Sequence, residues 1–226
     1  MNNFIKQIAG QLTSFAEINY DLVELNKIMR HDSIEKICIF VLGPEGTNIS
    51  QAAEKWILDR NIGYKSNIIL CDSPEKELEK AKEISDSKTF PVFVLCAVYN
   101  RLFELYFSNP DSYFFMDHYY MKLDNMLFAT NKYSKKNTYK VVSHPSPAVL
   151  LNNLENIDVT YANSNSFSAK LCKSGEADMC ITTESGRRLN DLKSIHKFGS
   201  PTMLFTFGTT LHGVKMLRKI GGMLDD

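Results

Sequence analysis

An apolar run that ends in two glycines stands near the start of the chain: Ile37-Cys38-Ile39-Phe40-Val41-Leu42-Gly43-Pro44-Glu45-Gly46-Thr47. The apolar residues predict a buried strand, and the Ala-rich segment after Thr47 predicts a helix. Gly43 and Gly46 permit backbone angles that a β-carbon forbids, Pro44 stiffens the turn, and Thr47 can cap the helix. The N–H groups at the helix start favour a carboxylate or phosphate ligand. A plain strand-to-helix turn stays an equal alternative, since the pattern is neither a Walker loop nor a dinucleotide fingerprint.

On both sides of an aromatic-rich segment at 97–122, short apolar runs alternate with helical patterns. The first series predicts strands at 37–43, 66–71 and 91–95, with helices at 49–60 and 74–85. The second predicts strands at 123–130, 139–143, 157–162, 178–182 and 202–207, with helices from about 146, at 166–174 and at 184–190. This alternation predicts an α/β fold of two lobes with mixed or parallel sheets. We interpret 97–122 as an irregular crossover.

The chain also divides into an N-terminal extension and a core. Residues 1–34 carry apolar side chains three to four positions apart, which predicts a helical extension that either mediates dimerisation or covers the core. The core is expected at 35–226, with lobe 1 at about 35–98 and 200–226 and lobe 2 at about 123–199.

The charge balance, the apolar runs and the cysteines of the sequence indicate which classes of partner and cellular compartment to expect. The 226 residues carry 26 basic and 26 acidic side chains, so nothing in the charge favours nucleic acid, and small molecules are the expected partners. The sequence shows no membrane-spanning run and no leader pattern, which favours the cytoplasm. The five cysteines form no C-x-x-C pair, so we expect reduced thiols and no metal site.

Polar clusters follow three of the predicted strands. They are Gly43–Ser50, Ser143–Pro147 and Asn163–Ser166. Ligands bind beyond the carboxyl ends of parallel strands, and convergent helix N-termini there would suit a substrate with more than one carboxylate. Each cluster could instead be a simple N-cap.

These residues resemble the prephenate dehydratase family. Gly43–Thr47 followed by Gln51-Ala52-Ala53 is similar to the family's opening motif, and Ser143-His144-Pro145 to its Ser-His-Pro segment. Asn163–Ser166 lies where the family carries a Ser-Thr motif, and Glu184 follows the next strand. The resemblance covers roughly residues 37–208. It implies the fold of a type 2 periplasmic binding protein, with prephenate held in the cleft between the lobes.

The departures from the family resemble its prephenate decarboxylase branch. The Pro-Val/Ile-Glu-Asn-Ser segment of dehydratases is replaced by Cys96-Ala97-Val98-Tyr99-Asn100, and their Thr-Arg-Phe motif by Thr202-Met203-Leu204. A guanidinium and an acid that would help hydroxide leave are therefore missing. Only a short tail follows Phe207, so no regulatory ACT domain is expected. The branch, whose best-known member is a bacilysin-pathway enzyme, implies loss of CO2 from prephenate without loss of the 4-hydroxyl, and a place in antibiotic or other specialised metabolism.

The implied carboxy-lyase needs no cofactor, because the ring diene can accept a proton as the carboxylate bond breaks. Groups at the strand ends able to supply that proton are Tyr99, His144 and Thr202. Substrate contacts are expected at the three polar turns, from Gly43, Pro44, Glu45, Gly46, Thr47, Ser143, Asn163, Ser164, Asn165 and Ser166.

Two alternatives stay open. A dehydratase that tolerates the changed residues would form phenylpyruvate. A binding module without catalysis would share the two-lobed fold with solute-binding proteins.

Overall fold

The apolar run forms strand β1, Lys36–Leu42, in the computed structural model, which describes residues 22–224. Ile37, Ile39 and Val41 of this strand are fully buried. They are buried because β1 pairs with a strand on each side and helices pack against it. A continuous apolar run is therefore what this position in the sheet requires.

The remaining elements continue the alternation of strands and helices. In chain order the structure contains α1 Leu22–Arg30, β1, α2 Asn48–Asp59, β2 Ser66–Cys71, α3 Pro74–Glu83, β3 Thr89–Cys96, α4 Leu102–Phe107, β4 Phe114–Lys122, β5 Met126–Thr130, β6 Tyr139–Ser143, α5 Pro145–Ala148, β7 Ile157–Tyr161, α6 Asn165–Ser174, β8 Met179–Thr183, α7 Glu184–Leu189, β9 Lys193–Gly199, β10 Thr202–Thr209 and α8 Leu211–Leu224. Single 3₁₀ turns lie at Gly63–Lys65 and Val149–Leu151. None of the helices in this range is both long and apolar enough to cross a bilayer.

The first of two units contains the described residues up to Met121 and those from Met203 onward. Its five-stranded sheet has the order β2-β1-β3-β10-β4. β1 is parallel to β2 and to β3, whereas β10 is antiparallel to β3. Because β2 and β3 flank β1 on opposite sides, the order of the strands reverses at β1, as in doubly wound α/β sheets.

Trp56 on α2 lies at the centre of the first unit's packing. Its ring stacks on Phe207 with centroids 4.5 Å apart. On the same ring lies the guanidinium of Arg60, 4.5 Å from the centroid. The indole Nε1 donates to Asp117 Oδ2 at 2.8 Å, and Arg60 forms an ion pair with the same carboxylate. One buried carboxylate thus joins α2 to β4.

The second unit, Lys122–Thr202, has a five-stranded sheet of the order β7-β6-β8-β5-β9. β6 is parallel to β7 and β8, and β5 is antiparallel to β8 and β9. The two ends of this unit meet, since Leu123 N donates to Pro201 O at 2.9 Å and Ser200 Oγ donates to Leu123 O.

The α/β class with mixed sheets is confirmed, but two expectations about its parts were wrong. The segment 97–122 is not an irregular crossover, because it contains α4 and β4, and β4 joins the first sheet. The segment after Phe207 is not merely a short tail, because α8 buries Val214, Leu217 and Ile220. Strand β9 was also missed. Of the expected N-terminal helix, residues 22–30 form α1, and residues 1–21 lie outside the described range.

Candidate functional site

The carboxyl ends of β1 and β3 define a candidate ligand edge in the first unit. β1 is followed by the turn at 43–47 and β3 by Ala97–Tyr99. The two strands are parallel neighbours at the point where the strand order reverses, and open α/β sheets bind ligands there. β10 also begins at this edge, because it runs antiparallel to β3 and Ala97 N donates to Leu204 O at 3.0 Å.

The turn at 43–47 is built as a helix cap. Thr47 Oγ1 accepts a hydrogen bond from Ser50 N at 3.4 Å, which confirms the predicted cap. Gln51 Nε2 donates to Gly46 O at 2.9 Å, and Gly46 adopts a φ of +80° that favours glycine. The Gly43–Pro44 peptide is cis. Pro44, Glu45 and Gly46 are exposed, so the tip of the turn faces solvent, whereas Ile49 and Ser50 in the first turn of α2 are buried.

Tyr99 lies three residues beyond β3 and contacts an acidic residue that the sequence pattern did not single out. Its phenol donates to Glu75 Oε1 at 2.8 Å. The Arg101 guanidinium lies 3.2 Å from the same oxygen and also binds Glu104 Oε2 at 2.8 Å. Burial and the hydrogen bond to Glu75 raise the pKa of the Tyr99 phenol. The phenol proton is therefore held by a carboxylate.

A depression of about 380 Å³ lies beside Tyr99. Its walls are mainly apolar and aromatic, and its lining residues are Ala97, Tyr99, Leu102, Phe103, Tyr106 and Phe115. The rings of Tyr106 and Phe115 stack with centroids 5.0 Å apart. The depression belongs to the segment 97–122, which combines α4 with the start of β4.

In the second unit the strand order reverses at β6, which lies between β7 and β8. β6 ends at Ser143, whose buried Oγ donates to His144 O at 2.8 Å. His144 Nδ1 accepts from Ser146 N at 3.3 Å and caps the short helix α5. Burial lowers the pKa of the His144 imidazole. A neutral ring that accepts at Nδ1 carries its proton on Nε2, so His144 can still donate there.

The cluster after β7 caps helix α6. Ser164 Oγ accepts from Phe167 N at 3.1 Å, and Asn163 and Ser166 are exposed. Asn165 Oδ1 is enclosed and accepts no hydrogen bond from the described residues. Ala162 N donates to Ser143 O at 2.9 Å, so the turns after β6 and β7 lie at one edge.

A carboxylate of the protein occupies the N-terminus of the helix after β8, where an anionic ligand would otherwise bind. Asp124 Oδ2 accepts from Ser185 N at 2.8 Å at the start of α7. Glu184, expected from the resemblance to follow β8, binds Arg187 at 2.8 Å and Arg188 at 2.7 Å. These two guanidinium groups lower the pKa of Glu184 to about 2. Glu184 is therefore an ion-paired carboxylate.

The structure places the expected residues of each unit along one edge of that unit's sheet. In the first unit these are the turn at 43–47 and Tyr99, and in the second unit Ser143, His144 and the turn at 163–166. Thr202 is the exposed first residue of β10.

Glu75 and Asp124 were missed by the sequence reasoning. For Glu75 a signal exists in Ser73-Pro74-Glu75, the start of the helix that follows β2. For Asp124 no local pattern exists, because its partner is 61 residues away. No group of three or more His, Cys, Asp or Glu side chains among the described residues is placed to hold a metal ion.

Comparison with curated proteins finds similarity to prephenate decarboxylases. Over 193 residues the chain is 29% identical to a prephenate decarboxylase of Bacillus amyloliquefaciens, a match that covers 76% of this chain and 86% of that protein. A prephenate decarboxylase of Bacillus subtilis matches with the same identity and coverage. No model of a protein family matches the chain.

Solved structures with the same fold include two periplasmic domains. The Bordetella pertussis BvgS VFT2 domain aligns with a TM-score of 0.51 at 17% identity, over 89% of this chain and 91% of its own. A putative periplasmic sulfonate-binding protein from Methylobacillus flagellatus aligns with a TM-score of 0.52 at 13% identity, over 84% of this chain and 66% of its own. At these identities the likeness concerns the fold alone.

Proposed function

We propose, from the premise that this chain is a relative of the curated prephenate decarboxylases, that it removes CO2 from prephenate without aromatising the ring. The observation that carries this proposal is the similarity to those enzymes over 86% of their length. The polar turns at the carboxyl edges of both sheets support it, because helix N-termini suit the carboxylates of such a substrate.

In the proposed reaction the bond between the ring and its carboxylate breaks and CO2 leaves. The electron pair moves into the ring diene, and a ring carbon takes up one proton. The 4-hydroxyl stays in place, so the product is a dihydro-4-hydroxyphenylpyruvate. The diene serves as the electron sink. The residues of the chain then need only bind and orient the substrate and supply the proton.

Within each unit, we assign a candidate carboxylate site to the turn that caps a helix, which is α2 in the first unit and α6 in the second. The backbone N–H groups at Gly43–Thr47 and at Asn163–Ser166 begin helices of twelve and ten residues. The side chains of Thr47 and Ser164 already cap their own helices. Their hydroxyls therefore hold the turns in shape, and we assign anion binding to the N–H groups around them.

We propose that either His144 or Thr202 donates the proton. His144 has a donor at Nε2 and Thr202 an exposed hydroxyl. Tyr99 already donates its proton to Glu75, so a different role is proposed for it below. As part of the same proposal, the enzyme works in the cytoplasm as a homodimer, and its product enters antibiotic or other specialised metabolism.

The first test is to incubate the purified protein with prephenate at neutral pH and to follow CO2 release together with proton NMR of the product. Both decarboxylation and dehydration release CO2, so the product decides between them. A retained carbinol signal without an aromatic ring is the expected result. Phenylpyruvate as the sole product would establish a dehydratase instead, and unchanged prephenate would contradict both.

Variants of the two donors test the assignment of the proton. His144→Ala and Thr202→Val are each expected to lower kcat by about 10²-fold if that residue supplies the proton. His196→Ala on β9 and Thr160→Val on β7 make the same chemical changes at exposed strand positions and serve as controls. Full activity in both donor variants would contradict the assignment.

A further inference from the structure

We propose that Glu75 fixes the Tyr99 phenol as a hydrogen-bond acceptor for the substrate's 4-hydroxyl, and that this arrangement prevents the hydroxyl from leaving as water. The inference rests on the proposed function and deepens it, because it names a residue that decides between two products. Glu75 acts through Tyr99 and is therefore a positioning residue.

The geometry of the pair fixes the direction of the hydrogen bond. A phenol carries one proton and a carboxylate carries none, so the 2.8 Å contact uses the only proton of Tyr99. What the phenol oxygen still offers to a neighbour is its lone pairs. A hydroxyl placed against Tyr99 would therefore donate its own proton and would receive none from this residue.

Three features keep Glu75 ionised. It lies in the first turn of α3, where the N-terminal N–H groups favour a negative charge, and Ser73 caps the same turn. Arg101 lies 3.2 Å from its Oε1. Burial acts to raise the pKa of Glu75, but the hydrogen bonds from the backbone, Tyr99 and Ser73 lower it overall. A carboxylate held in this state keeps accepting the phenol proton.

The position of Tyr99 places it beside the proposed site of the ring. It follows β3 at the ligand edge described above and lines the aromatic depression of about 380 Å³. Ala97, Phe103 and Phe115 supply apolar walls of a kind that would accept a six-membered carbon ring. Within this depression Tyr99 and Tyr106 are the lining residues with hydroxyl groups, and the Tyr99 hydroxyl is oriented by Glu75.

The chemistry explains why an acceptor matters. In the route to the dihydro product, the electron pair from the broken carboxylate bond ends on a ring carbon that gains a proton. In the competing route the same pair expels the 4-hydroxyl, which must take up a proton to leave as water, and the ring becomes aromatic. A general acid beside the hydroxyl would accelerate this second route by about 10²-fold or more. A phenol that can only accept gives no such assistance.

The test is the ratio of the two products formed by Glu75→Ala. Without the carboxylate, the phenol proton of Tyr99 can turn toward the substrate. We expect the share of phenylpyruvate to rise at least about tenfold. The double variant Glu75→Ala with Tyr99→Phe is expected to return the ratio to that of the parent, because the released proton is then absent.

Two further variants separate positioning from structural support. Glu104→Ala removes the other carboxylate of Arg101 without touching Tyr99, so it is expected to leave the product ratio unchanged. Glu75→Gln keeps a carbonyl that can accept the phenol proton and is expected to restore most of the parental ratio. If Glu75→Ala acted only by destabilising helix α3, the added change Tyr99→Phe would not return the product ratio to that of the parent.

The single variant Tyr99→Phe tests the inference independently, because its result does not depend on whether Glu75→Ala folds. The expected result is a raised KM for prephenate, with kcat largely kept and no added phenylpyruvate. A folded Tyr99→Phe protein without turnover would overturn the inference, since Tyr99 would then be the proton donor. An unchanged ratio in Glu75→Ala, beside a parent that forms the dihydro product, would overturn the inference alone. A parent that does not form this product would overturn the proposed function as well.

Discussion

Glu77, on the inner side of α3, is a carboxyl group with no exposure to solvent. Val94 N donates to its Oε2 at 3.3 Å. Burial raises the pKa of Glu77 well above its ordinary value, although the backbone N–H groups of Val94 and Leu42 act to lower it. In the folded protein this side chain is therefore a neutral acid at pH values where the unfolded chain is ionised.

The sign of the resulting pH dependence follows from the direction of that shift. Below about pH 4 both states hold the proton, and the contribution does not change with pH. Above it only the unfolded state releases the proton, so stability falls as pH rises toward the folded pKa, by at most about 1.4 kcal/mol per pH unit. Glu77→Gln is expected to gain stability over the parent progressively as the pH rises above about 4, where the unfolded chain begins to release its proton.

Urea unfolding at a series of pH values checks this expectation. Glu79→Gln, on the exposed side of the same helix, controls for the loss of one carboxyl group. A difference between Glu77→Gln and the parent that stays constant from pH 4 to pH 8 would show that Glu77 is ionised in the fold.

Between elements, the carboxylate of Asp117 on β4 links this strand to Trp56 of α2 and to Arg60. The side chains of Asp117 and Arg60 are each only 7% exposed, and Trp56 donates to the same oxygen. Removing one partner leaves a buried guanidinium without its counter-charge, which costs about 3–5 kcal/mol. Asp117→Ala is expected to lower the free energy of unfolding by this amount.

Asp111→Ala provides the matched control for that change. Asp111 is exposed in the loop before β4, so the same substitution there is expected to change stability by less than about 0.5 kcal/mol. Both variants are compared by urea unfolding. Equal stabilities for the two would mean that the ion pair does not hold α2 to β4.

Elements with strong local patterns were predictable, and those that depend on distant partners were not. β1 and α2 follow from an apolar run, two glycines and a capping threonine, and the structure has them within one residue of the expected bounds. α4 has only six residues, too few to show a helical period, and β9 is largely exposed, so neither gave a clear pattern. Tyr99 was predictable for the same reason, because it lies just after a recognisable strand, β3. Glu75 was not, because its contact with Tyr99 spans 24 residues.

At the scale of the whole molecule, the second unit has the features of an inserted domain. It has its own sheet and two apolar clusters, and its ends are joined by the hydrogen bond between Leu123 and Pro201. The first unit is made from two separate pieces of chain, because β10 lies between β3 and β4 in its sheet.

Residues 122–202 are therefore expected to fold when expressed alone, with a cooperative thermal transition in circular dichroism. A fragment of residues 22–121 is the contrasting sample. It lacks β10, which separates β3 from β4 in the sheet, and α8, so it is expected to stay unfolded. A disordered 122–202 fragment would show that the second unit depends on the first for its stability.

The position of Trp56 also gives the molecule an intrinsic optical label. It is the single tryptophan of the sequence, it is fully buried, and it lies in the first unit. The emission of Trp56 should shift to longer wavelength when the first unit unfolds. Unfolding of the second unit alone should leave this emission unchanged. Emission and circular dichroism recorded on one unmodified sample would therefore tell which half of the protein loses its structure first.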